Sequence, residues 1–441
     1  DNWKSSDGFH GNPGSAEPSG SSLPPVIISE ILAHSDPPLL DAIELHNPGS
    51  LPADVSGWRL TERGSSFEGF VIPPNTIIPP GGFLVFDETD FNPNGLWNSN
   101  AGTRGENEFA LSGSRGGDIW LIETDSGGNP LAFLDHIEFG ASLNGVSFGR
   151  WPNGTAGKIY PMKERSLFDE STGAYPPTKL GGPNPGPMPG EVMISEIMYN
   201  PPSGNNDLEF IELYNSGDAP VSLAGWKLDK GIDFDFSSGT VVQPGQSLVV
   251  VGFDLNATEK LNAFRTAYGI GPEVEIVGGW KGNLNNGGET ISLLRPDLPP
   301  PDDPTHTPMV IEESVTYSNN SPWPTGADGN GSSLVRKDRE SWSNDPHGWE
   351  ISPGAPSPGP SPSLNDPPLF ISGNPPPTIA VGAFFNHRFT ATDPNGNALG
   401  FSSSSRPEWL TLVDESNGSA ILSGTAPPQA VGPHTVVVEA S

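Results

Sequence analysis

The chain of 441 residues contains no cysteine. That excludes disulfides, thiolate nucleophiles and cysteine-ligated zinc. It leaves the compartment open. Histidine is sparse, with 8 residues scattered along the chain and no H-E-x-x-H or H-x-H cluster, so a histidine zinc site is not expected. Neither a G-x-S-x-G elbow nor a P-loop occurs. Basic residues are few, 21 against 53 acids, giving a formal net charge of −32. Such a surface repels phosphate backbones and anionic lipid, so nucleic acid and membrane surfaces are excluded as partners. No apolar run approaches the roughly 18 residues needed to span a bilayer, so membrane insertion is not expected. The chain opens at Asp1 with no basic-then-apolar leader. If the protein has a signal peptide, it is expected upstream or already removed.

What is abundant is glycine (55) and proline (51), almost a quarter of the chain. That is too much for a helical protein and suits many short strands joined by turns. The 11 tryptophans and 21 phenylalanines can fill several cores and argue against disorder. The length suits three domains of ordinary size.

The chain repeats itself. Val192 to Lys230 reads VMISEIMYNPPSGNNDLEFIELYNSGDAPVSLAGWKLDK, and an earlier copy starting at Val26 reads VIISEILAHSDPPLLDAIELHNPGSLPADVSGWRLTE. The offset is 166 residues from Ile28 to Ile194 and 168 from Trp58 to Trp226, so a whole domain is used twice. Each copy reads as two strands and a Gly-Trp corner into a third. In IELYN, Ile211 and Leu213 share one face and Glu212 the other, because strand side chains alternate. That alternation favours a sandwich core. A catalytic reading of Glu30 with Glu44, or of Glu196 with Glu212, requires a pocket that sequence does not reveal.

These residues resemble the bacterial lamin tail domain, an immunoglobulin-like β-sandwich. The resemblance continues downstream in the same order in both copies: Pro80 to Val85 beside Pro244 to Val249, Gly116 to Leu121 beside Gly287 to Leu293, and Gly145 to Arg150 beside Gly331 to Arg336. It covers about three quarters of the chain. It implies an extracellular accessory or structural role and brings no catalytic residues. The expected fold class is all-β: tandem immunoglobulin-like β-sandwiches joined by Pro/Gly-rich linkers, with one short helix in the second.

Residues 1–25 are polar and Gly/Pro/Ser-rich, and read either as the tail of a preceding domain or as a linker. Residues 26–180 form the first sandwich, 181–191 a stiff linker, 192–352 the second sandwich and 353–368 a Pro-rich linker. In the second copy Leu261, Phe264 and Tyr268 fall at helical spacing over 257–268. Asn256 is placed to cap the start and Gly269 to close the end, and the helix is expected on the sandwich edge. Residues 369–441 resemble a bacterial cadherin-like, immunoglobulin-type domain through Ala391 to Leu399, Pro407 to Leu410 and Gly432 to Val438.

Calcium, as a structural ion, is the one cofactor the sequence suggests. At the third domain's entrance Asn365-Asp366-Pro367 resembles the linker that ligates calcium between cadherin modules, and Asp393, Asn395 and Asn397 sit in a loop of similar type. These oxygens with nearby carbonyls could supply the roughly six to eight that calcium takes. The alternative is an Asx turn. Asp90, Asn92 and Asn94 fit the start of a calcium loop, but the closing position is Ala101, and a solvated turn is the other reading. Trp97, Trp280 and Trp323 lie in loop-like stretches and read either as sugar platforms or, more simply, as plugs of the sandwich ends. The expectation is a non-enzymatic extracellular structural or adhesive protein, with copies of itself, other cell-surface proteins or glycans as partners. The alternatives are accessory modules of a secreted hydrolase whose catalytic domain lies outside this segment, or carbohydrate-binding modules.

Overall fold

The strand Val192–Met198 is buried along its whole length, and it shows how the repeated sequence folds. Val192, Ile194 and Ile197 enter the main core of the second copy. Met193 and Met198 enter separate clusters. Simple alternation would place Ile194 and Ile197 on opposite faces, three residues apart. A register shift between Ile194 and Glu196 reconciles them. Ser195 is the extra residue of a β-bulge, so Ser195 and Glu196 both leave the core side. The strand Ile27–Leu32 of the first copy shifts register at the same place, between Ile28 and Glu30, and Ile28 and Ile31 share the core.

The computed structural model describes residues 24–62, 64, 68–93, 107–155, 157–339, 341–359, 368–373, 375, 378–393 and 398–440. The chain is all-β with immunoglobulin-like sandwiches. In the first copy one sheet runs, in spatial order, Ile159–Pro161, Phe148–Arg150, Ile27–Leu32, Ala42–His46, Phe83–Asp87. The facing sheet runs Phe70–Val71, Arg59–Thr61, Gly117–Thr124, Pro130–Phe139. The second copy repeats this plan. Its larger sheet centres on Val192–Met198 and Phe210–Asn215, gains Ile276–Gly278 as a parallel edge strand and ends at Trp349–Ile351. Its facing sheet runs Phe234–Asp235, Lys227–Lys230, Gly288–Pro296, Met309–Ser318.

The Gly-Trp corner works alike in both copies. Gly57 and Gly225 each have φ of +77°, a conformation costly for any residue with a Cβ. The turn drops Trp58 and Trp226 into their cores. Asn47 and Asn215 tie the following turn: their amides donate to Ile78 O and Val242 O, and their carbonyls accept from Gly49 and Gly217 N–H.

The helix of the second copy is Thr258–Tyr268, ended by Gly269 in the left-handed region. Two expectations are corrected. Asn256 does not cap it: the N-cap is Ala257, and the Asn256 amide donates to Asp254. Nor does the helix sit on the edge of the sandwich. Phe264 packs with Met198, Phe210, Val251 and Phe253 on the outer face of the larger sheet, because those residues form a second apolar stripe away from the main core. The first copy covers the corresponding face with Leu167 and Phe168 against Leu32, Ala42 and Val85. The described residues between 369 and 440 form a four-stranded and a two-stranded sheet around a smaller core that includes Ala391, Phe401 and Ala420.

Candidate functional site

Strongly perturbed carboxyls face each other at the two glutamate pairs. Glu30 sits opposite Glu44, and Glu196 opposite Glu212, as direct cross-strand partners. All four are buried. Like charges facing each other away from water favour the neutral acid. Burial pushes Glu44 up to about 8, and the neighbouring Glu30 adds to it. Burial likewise raises Glu30, lifts Glu196 to about 8 with help from Glu212, and lifts Glu212 to about 7.

Each pair carries the same partners. Ser147 donates to Glu30, and Ser333 to Glu196. The Ser195 hydroxyl donates to Glu212 at 2.7 Å. The chain returning from the end of each copy then closes the face. Gly182 N–H donates to Glu44 at 2.9 Å and Gly359 N–H to Glu212 at 2.6 Å. Both glycines belong to stretches whose Pro/Gly content reads as connector, yet here they dock on a buried carboxylate. The glutamates are thus sealed under their own chain, each pair within its own copy.

Beneath each bulge lies a buried ion pair. Asp135 accepts the Ile28 N–H, freed from ladder pairing at the bulge, and is gripped by Arg150 at 2.7 Å. Glu313 accepts the Ile194 N–H and is gripped by Arg336 at 2.7 Å. Arg150 also donates through Nε to Ile28 O. Arg336 lies 5.5 Å over the Trp349 ring, and its buried Nε has no hydrogen-bond partner among the described residues.

Both arginines face an open cleft between the two copies, with a volume of about 680 Å³. None of the four paired glutamates lines it. The copies meet beside it: Ala141 forms a parallel bridge with Val310, Arg115 pairs with Asp303 at 2.5 Å, His306 contacts Ser114 O, and Ile311 packs against the first copy's core. Tyr160 of the first copy and Trp342 of the second meet edge to face at 5.0 Å. Sequence reading missed this cleft; the aligned arginines Arg150 and Arg336 were its only trace.

Of the residues expected to bind calcium, Asp90 lies within the short helix Glu88–Phe91 and Asn92 caps its C-terminus. Asp90 accepts the Asp87 N–H in a capping box and pairs with Lys179; the Asn92 amide donates to Glu88. Calcium there would have to displace these contacts. Asp393 follows the strand Phe384–Thr392. Asn94, Trp97, Asn365, Asp366, Asn395 and Asn397 lie outside the described residues. Among the described residues no three His, Asp or Glu side chains group to hold a metal. Trp280 and Trp323 are buried in the second copy's core and offer no sugar platform.

The family model of the lamin tail domain matches the sequence twice, over residues 19–134 and 185–298, together just over half the chain. No curated protein matches significantly. Among solved structures, a DUF4876 family protein from Bacteroides thetaiotaomicron is similar at 11% identity. The similarity covers 54% of this chain and 79% of that one with a TM-score of 0.26, too low to carry an argument.

Proposed function

The chain belongs to the lamin tail domain family, with two copies in tandem, and on that premise we propose that it is a structural or adhesive protein of the cell exterior in which the copies act as one stiff unit. Lamin tail domains are, as a kind, non-catalytic. The sealing of both glutamate pairs supports extending that to this chain. No helix among the described residues is long and apolar enough to cross a membrane.

The observation that carries the reading is the seam. Ile311 of the second copy packs on the first copy's core, and the Ala141–Val310 bridge and the Arg115–Asp303 pair flank it. An apolar contact with backbone pairing resists hinge motion more than a polar tether does. Such a unit transmits force and keeps protease-sensitive backbone covered. Its partners on this reading are further copies of itself or other surface proteins, with calcium stiffening the entrance to the last domain.

Small-angle scattering of the full chain and of Ile311→Asp tests it. The native protein is expected to show one fixed distance between the copies, and the variant a longer, broader distribution. Copies that already move independently in the native protein would sink the proposal. Self-association is checked separately by electron microscopy with calcium present, where strictly monomeric particles at high concentration would remove the polymer from it.

A further inference from the structure

We propose that the cleft between the two copies binds an acidic oligosaccharide, one that carries uronic-acid carboxylates. The first argument is charge. Five of the chain's 21 lysines and arginines line the cleft (Arg115, Arg150, Lys158, Lys230 and Arg336), against three glutamates. That reverses the balance of a chain with 53 acids. Three of these cations are held by carboxylates, at Asp303, Asp135 and Glu313. Lys158 and Lys230 are exposed and have no carboxylate partner among the described residues. They are the two exposed cations of the cleft without an ion pair among the described residues, one from each copy. In a molecule of net charge −32, such a spot is where an anion meets the least repulsion.

The second argument is unused donors. The Arg336 Nε and the Trp342 indole N–H each lack a hydrogen-bond partner among the described residues, and both residues line the cleft. Both atoms are closed to solvent as they stand, and a small turn of either side chain toward a ligand rich in oxygen acceptors relieves the cost of leaving them unpaired. The third argument is shape. Ring faces at right angles, Tyr160 from one copy and Trp342 from the other, stand in the wall. Aromatic faces accept the C–H face of a sugar ring, while an extended acidic peptide gains nothing from them. A volume of about 680 Å³ falls in the ordinary range for small-ligand sites, ~300–1,000 Å³. The proposal rests on the stiff-unit reading, because both copies build the cleft; scattering reports on the seam and calorimetry on the cleft, so a fixed seam with no uronate bound overturns this proposal and leaves that reading standing.

The experiment is titration calorimetry of the full chain with three tetra-uronates (galacturonate, guluronate and glucuronate). The controls are a neutral malto-oligosaccharide of equal length and a poly-glutamate peptide. At least one uronate is expected to bind, more weakly as salt is added, with the neutral sugar at least tenfold weaker. Lys158→Glu combined with Lys230→Glu changes only exposed side chains and is expected to weaken uronate binding at least tenfold, with the circular dichroism spectrum unchanged. Trp342→Phe keeps a ring but removes the N–H, and is expected to weaken it several-fold. The proposal is overturned if no uronate binds, if the neutral sugar binds as well, if poly-glutamate binds more tightly, or if the double lysine variant binds normally.

Discussion

The two lamin tail copies agree where their polar groups are buried and differ where their apolar outer faces are covered. Both use a bulge at Ser29 or Ser195, facing glutamates, a serine just before the strand Phe148–Arg150 or Leu334–Arg336, a glycine N–H from the returning chain and a buried arginine beneath. Over the outer face the first copy lays Leu167 and Phe168, and the second the helix Thr258–Tyr268. The difference follows from directionality. A buried carboxylate or N–H needs its partner at one distance and angle, so most of the polar set recurs, with Asp135 in one copy answered by Glu313 in the other. An apolar face needs only matching volume, which a hairpin or a helix supplies equally.

The largest effect expected from breaking this shared set is at the arginines. Arg336→Ala leaves the Glu313 carboxyl in the interior without its cation, and should cost about 3–5 kcal/mol. Arg150→Ala should act alike on the first copy through Asp135. Urea denaturation followed by tryptophan fluorescence measures both; a loss under ~1 kcal/mol at either site would mean that the polar sets are not equivalent. Phe264→Ala removes the centre of the helical cover and should cost about 3–4 kcal/mol in the second copy alone. Hydrogen exchange should show new openings in the larger sheet around Phe210–Asn215, with Ala42–His46 unchanged.

The glutamates sharpen the comparison through pH. Burial raises Glu44, Glu196 and Glu212 to between about 7 and about 8. The fold therefore favours their protonated forms. The stability this contributes is complete below the unfolded value near 4.5 and is lost as pH rises through 7 to 8. Glu44→Gln with Glu212→Gln should flatten the slope of stability from pH 5 to 9 and gain roughly 1–2 kcal/mol at the alkaline end. A slope identical to the native one would show that these acids ionise freely in the fold. The smallest effect is expected at Gly359→Ala. Its φ is +101°, and an added Cβ would lie 2.3 Å from Val274. About 1–2 kcal/mol is expected, read as faster proteolysis of the returning segment beside Glu212.

Much of this architecture is legible in the sequence. The repeat, the paired strands, the Gly-Trp corner and the helix ending at Gly269 follow from local patterns. The bulge is not legible, because ISEI reads as plain alternation, and only the paired register shows that Ser29 and Glu30 leave the core together. Gly182 and Gly359 are equally hidden. Glycine beside proline signals a connector, and nothing nearby tells that its N–H will meet a glutamate 138 or 147 residues away. The cleft is further still from view, since it exists only where two separately encoded domains touch.

The opening strand of each copy lies in the middle of its sheet, between a neighbour a few residues on and another that arrives much later. Ser147 is 117 residues beyond Glu30, and Ser333 is 137 beyond Glu196. A chain emerging from the ribosome therefore exposes one open flank of that strand, with its acids still hydrated, until the far segment is made. At a synthesis rate of about 5–20 residues per second that wait is roughly 6–27 s. Carboxylates are well suited to it: hydrated and charged, they keep an unfinished sheet from joining its neighbours, and burial beneath the correct strand then favours their neutral forms.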